Sequence, residues 1–151
     1  MTRSGLHGGI NRHVWVHVTG NIHQTLPLYY GLESQGVYVH ASNFNVGRKT
    51  ADITVEAEVH NASGDRATVE LSVAIIDNAG KVCAQFEGDP VDMVEGEKSV
   101  HMATGSLVAA RFWSVEDPYL YNVYTILRVD GKVVESISWK QDFARRSSKA
   151  V

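Results

Sequence analysis

The chain has 151 residues, with 14 Lys and Arg against 17 Asp and Glu and a formal charge of −3. That length suits one domain and is too short for a (β/α)8 barrel, which takes roughly 250 residues. With 44 % hydrophobic and 21 % charged residues the composition is globular. No basic block beyond Arg145-Arg146 marks a nucleic-acid footprint, and no apolar run approaches the roughly 20 residues of a membrane helix. The single Cys83 excludes an internal disulfide and a cysteine-based zinc cage.

Residues 1–9 are Gly-rich with almost nothing apolar and no signal-peptide core, so an exposed, disordered lead-in is expected. The first period of two runs over 12–18, with Val14, Val16 and Val18 on one face and His13, Trp15 and His17 on the other. Further strands are expected at 36–42, at 51–60 and at 69–75. In the second of these Ile53, Val55, Ala57 and Val59 alternate with Thr54, Glu56, Glu58 and His60. Across the turn formers Asn61 to Asp65, the two long strands 51–60 and 69–75 are expected to pair as neighbours. Asp77-Asn78-Ala79-Gly80 predicts a hairpin into 81–86, and 88–96 reads as an acidic loop. Strands at 99–104 and 119–129 follow. Asp130-Gly131 is a two-residue turn signal leading into 133–139.

About seven antiparallel strands after residue 35, with no convincing helix, are the pattern of an all-β, immunoglobulin-like β-sandwich, with a barrel of similar strand count as the alternative. Tyr121 opens the penultimate strand. Two roles stay open for it there: a tyrosine corner, its hydroxyl tying the strand to the preceding loop, or plain core packing. The expected division is a lead-in over 1–13, the sandwich over 14–143 and a polar tail over 144–151.

Chemistry-bearing patterns are sparse. There is no phosphate loop, nucleophile elbow or zinc-protease motif. His13 and His17, four apart on a strand, would sit roughly 13 Å apart, too far to share one zinc, so packing is expected of them and of nearby His23. The acids Asp89, Asp92, Glu95 and Glu97 read as a solvated edge, with a weak calcium site as the lesser reading. Asn61-Ala62-Ser63 matches a glycosylation tripeptide but is better explained as a turn. Cys83 reads as an inert core thiol.

Two segments carry more than periodicity. Gly8-Gly9-Ile10-Asn11-Arg12-His13-Val14-Trp15-Val16 resembles the G-x-G-I-Y-R-x-V-x-L segment at which the sugar-binding domain of glycoside hydrolase family 2 enzymes passes into their immunoglobulin-like domain. Phe112-Trp113-Ser114-Val115-Glu116-Asp117-Pro118-Tyr119-Leu120-Tyr121 is similar to that domain's L-W-S-P-E-x-P-x-L-Y segment. Asp77 to Val82 resembles the family's D-x-x-G-K-V turn, and Phe143 to Arg146 its F-G-[FI]-R exit, with Ala for Gly and Arg for the apolar residue. Asn11 replaces the usual aromatic and Val115 the usual Pro.

The resemblance implies the middle domain of a β-galactosidase-like exo-glycosidase, whose two catalytic carboxylates belong to a barrel domain that this chain does not contain. The matched residues Gly9, Ile10, Arg12, Trp113, Pro118 and Tyr121 are then structural, Trp113 in the core and Tyr121 at a corner. No catalytic, cofactor or metal role falls on this domain. Its implied partners are the sugar-binding and barrel domains of the same parent chain, through which any oligomer would form, with no nucleic acid and no membrane. The competing expectation is a free-standing module that uses Tyr29, Tyr30 or Trp139 to stack on sugars or dock a protein. Compartment stays open: one reduced cysteine suits the cytoplasm, and a periplasmic parent would carry its signal elsewhere.

Overall fold

The computed structural model describes residues 18–25 and 36–144. The expected strand up to His17, motif residues Gly9, Ile10 and Arg12, Trp15, Tyr29, Tyr30, Arg145 and Arg146 lie outside the described residues. Nine strands are formed among the described ones: β1 (Ile22–Gln24), β2 (Val37–Asn45), β3 (Thr50–Asn61), β4 (Ala67–Ile76), β5 (Val82–Glu87), β6 (Val91–Met93), β7 (Lys98–Leu107), β8 (Tyr121–Val129) and β9 (Lys132–Gln141). They make two antiparallel sheets. In the first, β1 and β2 lie end to end along one side of β3, and β7 pairs along its other side. In the second, β5 and β6 lie end to end along β4, followed by β8 and β9.

The alternation in β3 and β4 explains why these sheets stack. Ile53, Val55, Ala57 and Val59 of β3 and Val69, Leu71, Val73 and Ile75 of β4 are all fully buried. Each Val, Leu or Ile side chain among them contributes about 1.5–3 kcal/mol when taken from water. The main core joins six of these, all but Val59 and Val69, to Ala103, Leu107, Tyr121, Val123 and Phe143, while Ile22, Val59, Val69, Met93 and Leu127 fill a smaller cluster toward the other end.

This arrangement corrects the expected pairing of the two long strands. β3 and β4 do not hydrogen-bond to each other but belong to opposite sheets, their apolar faces opposed. The connection between them turns the chain from one sheet to the other instead of closing a hairpin, and buried Asn61 organises it. The Asn61 Nδ2 donates to the carbonyls of Asp65 (2.8 Å) and Val94 (3.1 Å), while its Oδ1 accepts from Ser63 N (3.0 Å) and Ser63 Oγ (2.7 Å). The tripeptide is thus a turn, as expected, with its amide buried and engaged.

The acidic stretch is also more ordered than a loop. Val91–Met93 pairs with Ala67–Val69 at the edge of the second sheet, burying Met93 and placing Asp92 against Thr68 Oγ1 at 2.7 Å. Three alternating residues are too short a run to stand out as a strand. The hairpins expected at 77–80 and 130–131 both form. Asp130 (φ 49°) and Gly131 (φ 77°) take the paired left-handed conformations that a type I′ turn demands. The strand expected from residue 119 starts at Tyr121, because Pro118 to Leu120 belong to the preceding connection.

The described chain passes through the sandwich from end to end. It enters beside the C-terminal end of β3, where Ala62 N donates to Asn21 O at 2.8 Å. It leaves beside the opposite end, where Phe143 follows β9. β3, with 12 residues, spans the distance between, about 37 Å at the rise of an antiparallel strand.

Candidate functional site at the exit end

Between β7 and β8 the chain runs through residues 108–120 without regular structure, and here the motif residues Trp113, Pro118 and Tyr121 meet. Tyr121 is buried in the main core, and its hydroxyl accepts a hydrogen bond from Arg111 N at 2.8 Å. Both roles left open for it are therefore filled at once: the ring packs at 5.6 Å from that of Phe143, and the hydroxyl ties strand to connection as a tyrosine corner does. Burial pushes this phenol above its ordinary value, against the pull of the Arg111 backbone bond.

Arg111 holds the other half of the brace. Its guanidinium grips Asp117 with two bonds, 2.6 Å from Nε and 2.5 Å from an Nη, and lies 4.4 Å from the centre of the Tyr119 ring. The bond to Asp117 raises the Arg111 pKa, and the same bond holds the Asp117 carboxyl below its usual value. Ser114 and Asp117 close a turn by exchanging main-chain bonds of 3.1 and 3.2 Å, and exposed Pro118 continues from it with its φ fixed. The Tyr119 hydroxyl accepts from Asn78 N at 3.2 Å, which links the connection to the β4–β5 hairpin.

Trp113 corrects an expectation. It is 36 % exposed and stands at the rim, its backbone N donating to Phe143 O at 3.0 Å. The ring that packs against the core is Phe112, in edge contact with Phe44 at 5.3 Å. Trp139 likewise packs against the main core. Cys83 is half-buried against that core, in a groove of about 410 Å3 with Asp77, Lys81, Arg111 and Tyr119, its thiol 3.6 Å from Lys81 O.

The acids near this end serve structural bonds. Asp117 holds Arg111, Asp77 Oδ1 accepts from Ala79 N (2.9 Å) and Lys81 N (2.8 Å), and Asp52 accepts from Asn43 and Ser106. These last bonds hold the Asp52 carboxyl below its ordinary value. Among the described residues no group of three His, Cys, Asp or Glu is placed to hold a metal ion. His23 packs edge-on against His60, 5.6 Å between ring centres. Chemically the site is a brace that fixes a loop and an outgoing chain. Of its members, sequence reasoning missed Arg111, whose only hint was an Asp six residues on, and it placed Phe112 and Phe143 in family-like segments without their packing roles.

Two stacked antiparallel sheets locked by a tyrosine corner define an immunoglobulin-like sandwich domain. The sequence pattern of the glycosyl hydrolases family 2 matches residues 35–144, and the chain belongs to that family. A beta-glucuronidase of Formosa agariphila is 35 % identical over 130 residues, which cover 86 % of this chain and 13 % of that protein. Among solved structures, a beta-glucuronidase from glycoside hydrolase family 2 superposes with a TM-score of 0.75 at 31 % identity, covering 83 % of this chain and 13 % of the other. A putative beta-galactosidase from Bacteroides fragilis gives a TM-score of 0.68 at 27 % identity over 82 % of this chain and 18 % of its own. The chain thus spans well under a quarter of each. The β-galactosidase expectation holds at the level of the family; the relative of highest identity among these three is named a beta-glucuronidase.

Proposed function

We propose that this chain is a non-catalytic spacer domain of a family 2 glycoside hydrolase, holding a preceding sugar-binding domain and a following catalytic barrel in register. One observation carries the reading: the described chain begins beside one end of the sandwich and leaves at the other, an arrangement that suits a domain threaded between two others. The small share of each relative that the chain covers supports it. In this reading residues 14–143 are the domain, 1–13 and 144–151 lead to its neighbours, and Gly9, Ile10, Arg12, Trp113, Pro118 and Tyr121 keep structural roles. The domain itself uses no cofactor. The free-standing module loses Trp139 as a stacking platform, because that ring packs inward.

For the parent enzyme a β-glucuronide is the better-supported substrate than a β-galactoside, on the names of the relatives with over 30 % identity. The test pairs two proteins. The 151-residue chain is expected to leave nitrophenyl β-glucuronide and nitrophenyl β-galactoside intact, and the product of the full coding sequence to cleave the glucuronide faster. Turnover by the 151-residue chain that vanishes on substitution of one Asp or Glu would overturn the spacer reading.

A further inference from the structure

The outer face of the first sheet brings two imidazoles together. His23 of β1 and His60 of β3 are direct cross-strand partners. Their chain neighbours Ile22 and Gln24 on β1, and Val59 and Asn61 on β3, are buried, so strand alternation puts both imidazoles on the opposite, solvent side, where each is half-buried. The rings stand 5.6 Å apart between centres and cross at 76°. His23 Nδ1 donates to Gly20 O at 3.0 Å. A carbonyl only accepts, so this bond puts the ring proton on Nδ1 and leaves Nε2 with an open lone pair. The His60 ring makes no hydrogen bond among the described residues.

We infer that His23 and His60 form a two-imidazole site for a late first-row divalent cation such as Zn2+, Ni2+ or Cu2+, which clips β1 to β3. Imidazole nitrogen is the donor these metals share, whereas Mg2+ and Ca2+ seek oxygen. Two imidazoles bonded to one tetrahedral zinc at about 2.0–2.1 Å have their ring centres about 5 Å apart, so a small rotation from the observed 5.6 Å brings both nitrogens onto the ion. A carbonyl on the far nitrogen is the outer contact that orients metal-ligating histidines, and Gly20 O supplies it for His23. Once one ring has bound, strand pairing makes the second bond an intramolecular step. Glu58, two residues along β3, accepts from Thr25 Oγ1 at 2.7 Å and does not complete a group of three ligands, so the other coordination positions fall to water. Lys98, opposite His60 on β7, places a like charge near the ion and lowers its affinity. The consequence is mechanical: β1 has only three residues, and the ion adds a bond that must break before this strand can open. That role takes no part in glycoside chemistry and stands apart from the spacer reading.

The test titrates the 151-residue chain with Zn2+ by calorimetry and with Cu2+ by NMR. One Zn2+ is expected per chain, bound more than tenfold more weakly by His23→Gln and by His60→Gln alike, and several-fold more tightly by Lys98→Gln. Zn2+ is expected to slow hydrogen exchange of the β1 amides in the unaltered chain and in neither histidine variant, and Mg2+ and Ca2+ are expected to leave it unchanged. Cu2+ well below one equivalent is expected to broaden the His23 and His60 ring signals ahead of those of His40, a readout that needs no variant to fold. His7, His13 and His17 are the rival donors, and the triple variant His7→Gln, His13→Gln, His17→Gln is expected to keep the affinity. No binding of Zn2+, binding that survives the loss of His23 or His60, binding lost in the triple variant, or β1 exchange that Zn2+ leaves unaltered overturns the proposal.

Discussion

Tyr121 Oη is a single acceptor with a measurable consequence. Replacing it in Tyr121→Phe keeps the ring packed against Phe143 but leaves Arg111 N without its partner. A part-buried donor left unpaired costs about 1–3 kcal/mol, so the urea midpoint is expected to fall with the slope unchanged. His101 offers a second test. It is 3 % exposed, its Nε2 lies 3.0 Å from Ser99 Oγ, and burial lowers its pKa from the ordinary 6.5 against the opposing pull of Glu97. The folded state therefore resists the proton that the unfolded chain accepts. Above pH 6.5 both states are neutral and the group does not affect stability. As pH falls below 6.5 the unfolded chain protonates first, and stability is lost until the lowered folded value is passed. Urea midpoints measured from pH 8 to 5 are expected to decline below 6.5 and to decline less in His101→Gln. Tyr121's place was legible in the sequence because an aromatic after a proline at a strand start has a local signature. The Arg111–Asp117 grip was not, since its partners meet only once the connection is folded.

Among the strands, the alternating faces of β3, β4 and β8 were plain from their period of two, because one face of each is dry and the other wet. Which sheet each strand joins was not plain. A short turn-rich link such as 62–66 serves a hairpin or a sheet change equally well, and the decision rests on Asn61 reaching across to the carbonyls of Val94 and Asp65. The close approach of β5 and β7 gives an element-scale prediction. A Cβ on Gly88 would lie 2.3 Å from Met102 O, a backbone atom that cannot move without its strand. At Gly105 the Cβ would meet the Phe86 ring at the same 2.3 Å and the Phe86 Cβ at 2.8 Å, an atom that turning the ring does not move. Both Gly→Ala changes are expected to destabilise by at least the 1–3 kcal/mol roughly typical of overpacking, read from thermal unfolding.

For the whole chain, a length fit for one domain and too short for a (β/α)8 barrel was legible at once. The family resemblance of the segments around Asp77 and Trp113 was likewise legible, because those turns need particular residues. What the sequence could not convey is the geometry of passage, since entry and exit are set by how the sheets stack. That passage bears on any attempt to shorten the protein. Where a domain has adjacent termini it is removed by joining the two cut ends. Here the cut ends would stand about 37 Å apart, and at least roughly 11 residues of fully extended chain would be needed to bridge them. Even then the bridge would restore the distance and lose the orientation, because a flexible linker fixes neither the angle nor the rotation that nine paired strands hold.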